Sequence, residues 1–79
     1  MTDTELLDFI KEQYLDARLL EDGSIVAIGN LLFTRAIYMD CNATGFGRRF
    51  CFQDRALADA EYARLKTEED EPVGWIARR

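Results

Sequence analysis

Seventy-nine residues allow one domain, and a hydrophobic fraction of 48% suits a compact core rather than a disordered chain. There is no His, and the two Cys do not form a CxxC pair. Neither a metal staple nor the usual general base near neutral pH is therefore expected. The formal charge of −5 works against non-specific nucleic-acid binding and favours a basic partner surface.

The charge is uneven. Residues 1–24 carry seven acids and two bases, residues 25–55 two acids and four bases, and residues 56–79 six acids and four bases. Two acidic flanks thus surround a mildly basic centre. The acidic start MTDTELLDF lacks the basic-then-apolar layout of a secretory signal, and no apolar run is long enough to span a bilayer. A reducing, cytoplasmic setting in a bacterial host is the expectation, with Cys41 and Cys51 as thiols and the Asn42-Ala43-Thr44 sequon idle.

Residues 3–18 read as a helix. Thr2 and Glu5 fit a capping box, and Leu6, Leu7, Phe9, Ile10, Tyr14 and Ala17 share one broad face at 100° per residue. Leu15 and Leu19 point almost opposite, so the helix ends early or those leucines meet something else. Asp22-Gly23 is a turn signal. Residues 25–28 are a short strand that Gly29-Asn30 breaks or bulges. Residues 31–41 read as the longest strand. Leu31, Phe33, Arg35, Ile37, Met39 and Cys41 lie on one side of it, and Leu32, Thr34, Ala36, Tyr38 and Asp40 on the other.

Residues 42–47 are a loop and 48–53 the returning strand. A hairpin symmetric about Phe46 sets Cys41 opposite Cys51. Asp54 suits the N-cap of a second helix over 55–66, with a small-residue face of Ala56, Leu57, Ala60 and Ala63. Arg55 and Asp59, and Glu61 and Arg64, are spaced for surface pairs. Residues 67–72 form an acidic linker ended by Pro72, and residues 73–77 suit a short final strand or tail in which Trp75 plugs the core. The expected fold is α+β: an N-terminal helix, an antiparallel sheet of about three strands covered on one face, a second helix and a C-terminal strand, in a single domain over 1–79.

No catalytic set or cofactor motif emerges. Gly45-Phe46-Gly47-Arg48-Arg49 lacks the Lys-Ser/Thr of a P-loop and the third glycine of a dinucleotide turn. The most pointed feature is acidic. Glu5, Asp8, Glu12 and Asp16, at steps of three, four and four, fall within about 80° of arc on a helix. Their axial spacing of roughly 5–6 Å approaches that of phosphates along one nucleic-acid strand. Such a stripe mimics DNA and can occupy a basic groove, with Leu15 and Leu19 adding apolar contact. A rival reading makes Arg35, Arg48, Arg49 and Arg55 a nucleic-acid face on which Tyr38, Phe50 and Phe52 stack bases. A third is an adaptor or structural subunit that assembles through its sheet edge or Trp75. A homodimer is a cheap route to extra burial for a chain this small.

In size, acidity, helix-plus-sheet layout and lack of a catalytic set, the chain resembles the small phage-encoded anti-CRISPR proteins. Residues 30–79 also resemble short phage reading frames in which a strand such as Arg48-Arg49-Phe50-Cys51-Phe52 leads into an Ala-rich helix, here Ala56 to Ala63, and a Gly74-Trp75-Ile76 ending. The resemblance implies stoichiometric, non-catalytic binding to a CRISPR effector complex that blocks target DNA or a subunit contact.

Overall fold

The computed structural model describes residues 2–67 and 69–78. The elements run α1 (Asp3–Lys11), β1 (Asp16–Leu19), β2 (Ile25–Asn30), β3 (Arg35–Met39), β4 (Arg48–Phe52), α2 (Arg55–Arg64) and β5 (Ala77–Arg78). The architecture is α+β. Four antiparallel strands form a meander in sequence order, extended by the two-residue β5 along β4.

The sheet is covered on both faces, not one. Strand alternation sends Val26, Ile28, Ile37, Met39, Phe50 and Phe52 to the side where α2 contributes Ala58 and Tyr62, followed by Leu65. It sends Ala17, Ile25, Ala27, Ala36, Tyr38 and Cys51 to the other side, where α1 contributes Ile10 with Leu6 and Leu7. A single short helix covers too little of a four-stranded sheet with two apolar faces, so each helix takes one.

The expected N-cap forms, with the Glu5 N–H donating to Thr2 Oγ1 at 3.2 Å and the Thr2 hydroxyl lying 3.2 Å from Glu5 Oε1. The helix stops at Lys11 rather than running to residue 18. Beyond it, Ala17 must lie in the α1-side core while Asp16 and Arg18 point to the α2 side, a two-residue period that only a strand satisfies. This strand is the one the helical reading absorbed.

The segment 31–41 is not one strand either. Gly29 and Asn30 belong to β2, and the Leu31 N–H donates to the Thr34 carbonyl at 2.8 Å, closing a turn over 31–34. Leu31 packs in the α1-side cluster, whereas Ile37 and Met39 pack on the α2 side. Cys41 also lies with the α1-side cluster, because Asp40 at φ 58° breaks the alternation.

The β3–β4 hairpin pairs Met39 with Arg48 and Ala36 with Cys51. Its loop is therefore centred before Phe46, and Cys41 does not face Cys51. Both are buried free thiols.

In α2, Asp54 Oδ1 accepts from the N–H groups of Ala56 (2.9 Å) and Leu57 (3.2 Å). The core face is Ala58, Tyr62 and Leu65 at i, i+4 and i+7; Ala56, Ala60 and Ala63 are exposed. Tyr62 reaches the core with its ring while its hydroxyl donates to Asp16, so the aromatic face outweighs the small one.

Asp70 Oδ2 accepts from the Lys66 and Thr67 N–H groups at 2.9 and 3.3 Å, and Pro72 is fully buried. Trp75 does not plug the core: it is exposed, at 37%, and its ring lies beside that of Phe50 with centroids 5.9 Å apart.

Candidate functional site

Glu5 and Asp8 are exposed on α1, and Glu12 is exposed at its C-cap. Asp16 is separated from them. It lies in β1 on the α2 side and accepts the Tyr62 hydroxyl at 3.1 Å. The four carboxylates therefore do not form one helical stripe; three of them do. None of the four is in an ion pair among the described residues.

Leu15 directly precedes the outer strand β1 and Leu19 ends it, and they are 58% and 42% exposed. No helix carries them.

The rival arginine face is not assembled. Neighbours in a strand point to opposite sides, so Arg48 and Arg49 diverge. Arg35 Nη1 donates to both carboxylate oxygens of Asp59 at 2.7 and 2.8 Å, taking the carboxylate that Arg55 was expected to hold. Arg48 pairs with Asp40 at 3.3 Å. Phe50 and Phe52 are 0% exposed and Tyr38 is buried, so no row of aromatic faces is open to bases.

The structure adds features that sequence reasoning missed. The turn over 31–34 holds Leu32 and Phe33 at 84% and 81% exposure. They follow Asn30, which also lines an open cleft of about 380 Å³ with Glu12, Tyr14, Leu15, Gly29 and Tyr38. Tyr14 and Tyr38 pack with centroids 4.7 Å apart, and Phe46 meets Tyr38 edge-on at 4.9 Å. Gly29 lies against this pair: a Cβ there would stand in ordinary contact, 3.4 Å from the Tyr14 ring and 3.5 Å from the Tyr38 ring. One end of the molecule thus combines an aromatic-floored cleft, an acidic rim at Glu12 and an apolar turn. The available signal was Leu31-Leu32-Phe33, three apolar residues directly after Gly29-Asn30, where a hairpin can close.

The Cys41 thiol is poorly suited to nucleophilic chemistry. Burial, and next the Asp40 carboxylate, push Cys41 from 9.0 up to about 12. Burial also raises Tyr14 and Tyr38, and burial with the Asp16 carboxylate raises Tyr62. These groups remain protonated in the folded chain while the unfolded chain releases protons from about pH 9 upward, so the unfolded state binds fewer protons there. Stability is expected to be insensitive to these groups below pH 9 and to fall above it. The urea midpoint at pH 10 should be clearly below that at pH 8; equal midpoints would contradict the assignment. Among the described residues no group of three His, Cys, Asp or Glu could hold a metal ion, and no helix is long and apolar enough to cross a membrane.

No protein-family model, curated protein or solved structure matches this chain.

Proposed function

We propose that this chain is a non-catalytic binding protein that engages a basic protein surface through the end formed by Glu12, the Tyr14–Tyr38 cleft and the Leu32–Phe33 turn. The observation that carries this reading is the exposure of Leu32 and Phe33, at 84% and 81%, beside a cleft with an acidic rim. Two adjacent large apolar residues held in solvent by a closed turn have no role in the monomer core and suit insertion into a partner pocket. Glu5, Asp8 and Glu12 along α1 supply negative charge that steers a basic partner and sets the salt dependence of encounter. The division of labour is apolar anchoring by the turn and charge complementarity by the helix.

The partner class that fits is a protein with a basic, nucleic-acid-handling surface. The resemblance to anti-CRISPR proteins makes a bacterial CRISPR effector subunit the proposed member of that class, with target-DNA binding or complex function blocked. The test is to titrate the protein into a purified effector complex and follow binding of labelled target DNA. The wild type is expected to inhibit stoichiometrically. Phe33→Ser should weaken inhibition about thirtyfold, the equivalent of a hot-spot loss of about 2 kcal/mol. Glu12→Lys should weaken it more at low salt than at high salt. Inhibition that survives both substitutions would remove this end from the interface.

A further inference from the structure

We infer that the cleft beside Tyr14 receives an arginine side chain of the basic partner, with the guanidinium stacked on the Tyr14 ring and bonded to the Glu12 carboxylate. The inference rests on the functional reading above and names the chemical group that this end of the molecule recognises. The cleft of about 380 Å³ is lined by Glu12, Tyr14, Asn30 and Tyr38 among others. Tyr38 is buried and Tyr14 is part-exposed, so Tyr14 is the ring that a ligand can reach.

The main chain adds an acceptor. Gly29 stands opposite Ala36, and Asn30 opposite Arg35. The Leu31 N–H donates to the Thr34 carbonyl, so those two residues are a hydrogen-bonded pair, and by alternation so are Gly29 and Ala36. Asn30 lies between these pairs, and its N–H and C=O therefore point away from β3. On that side β1 begins at Asp16, and the Leu15 N–H bonds one step earlier, to the Ile28 carbonyl at 2.9 Å. The Asn30 carbonyl is thus turned toward the segment 12–15, across the cleft, with no main-chain donor on it among the described residues.

Charge and shape select the occupant. Glu12 is exposed and in no ion pair among the described residues. No basic side chain lines the cleft, and Arg35, the neighbour of Asn30 across the ladder, is already held by Asp59 and by Asn30 Oδ1 at 3.0 Å. An anion would meet the Glu12 carboxylate and the negative face of a tyrosine ring. An apolar group would cover Glu12 and the Asn30 carbonyl without bonding them. A cation satisfies the carboxylate, the carbonyl and the ring together. Among cations the guanidinium is flat: its face lies on the ring while its edge donors reach both acceptors, which a compact ammonium does less well.

The test is a two-dimensional amide NMR titration of the full chain with N-acetylarginine amide, and in parallel with the citrulline and lysine analogues. The expectation is saturable, millimolar binding whose shifts centre on the amides of Gln13, Tyr14, Gly29 and Asn30. The neutral citrulline analogue, of nearly the same shape, should bind at least about fivefold more weakly, and lysine should fall between. Glu12→Gln and Tyr14→Leu should each weaken arginine binding about two- to fivefold, the range for an exposed ion pair or cation–ring contact. Tyr14→Phe keeps the ring and should bind as wild type. Absence of saturable shifts at these amides overturns the inference, and so does citrulline binding equal to arginine. The outcome is separable from that of the functional reading. Arginine binding without inhibition of the effector complex would sink that reading alone, whereas inhibition that is lost with Phe33→Ser but unchanged by Tyr14→Leu would sink this inference alone.

Discussion

Phe52→Ala is expected to cost about 3–5 kcal/mol of folding stability, the range for removing a fully buried aromatic ring. Phe52 is 0% exposed and lies in the cluster that joins β2, β3 and β4 to α2. A domain of 79 residues at about 0.05–0.15 kcal/mol of net stability per residue has about 4–12 kcal/mol in all, so the loss is a large share of the total. Urea denaturation should show a much lower midpoint with an unchanged slope. The same experiment decides between two readings of the residue. A base-stacking Phe52 would sit on the surface, and its removal would change stability by less than about 0.5 kcal/mol.

Arg18→Ala is the second large effect. Arg18 Nη2 donates to the Tyr62 carbonyl and, at 2.7 Å, to the Leu65 carbonyl, and the guanidinium carbon lies 5.1 Å from the centroid of the Tyr62 ring. These carbonyls belong to the C-terminal end of α2, where groups without an intrahelical partner need a donor and a cation is favoured. The arginine ties that end to β1, and the neighbouring Asp16 takes the Tyr62 hydroxyl. Charge-assisted bonds of this kind contribute about 1.5–3 kcal/mol each when partly buried, and losing the pair should cost about 2–4 kcal/mol. The melting temperature should then fall on the order of 10–20 °C. Arg18→Lys should recover only part of the loss, because an ammonium cannot reproduce the planar fork. A melt within about 2 °C of wild type for Arg18→Ala would show that the tether is unimportant.

Local chemistry was legible where it acts over a few residues. Thr2 with Glu5, and Asp54 before α2, cap the helices at the predicted positions. The strands β2 and β4 fall close to their predicted spans. The misfit of Leu15 and Leu19 to a helical face correctly pointed to an early helix end. What replaced the helix was not legible, because Asp16 and Arg18 are explained only by Tyr62 and Leu65, more than forty residues away.

The covering of both sheet faces was hidden for a related reason. Val26 and Ala27 are both buried, so β2 shows an apolar run rather than an alternation. The Cys41–Cys51 register failed on a single backbone feature, the left-handed Asp40, which no pattern of side chains predicts. Of the expected acidic stripe, Glu5 and Asp8 lie exposed on α1 and Glu12 at its C-cap, while Asp16 lies in β1. The apolar turn was obscured because Leu32 and Phe33 are strong strand formers placed where the chain reverses.

The decisive measurement is the affinity of the protein for the partner it captures from bacterial lysate, compared among wild type, Leu32→Ser with Phe33→Ser, and Ile76→Ser as an exposed apolar control far along the chain. The double substitution should lower affinity at least about thirtyfold while Ile76→Ser stays within about twofold of wild type. Equal affinity for wild type and the double variant, with both proteins folded, would mean that the Leu32–Phe33 end does not bind the partner.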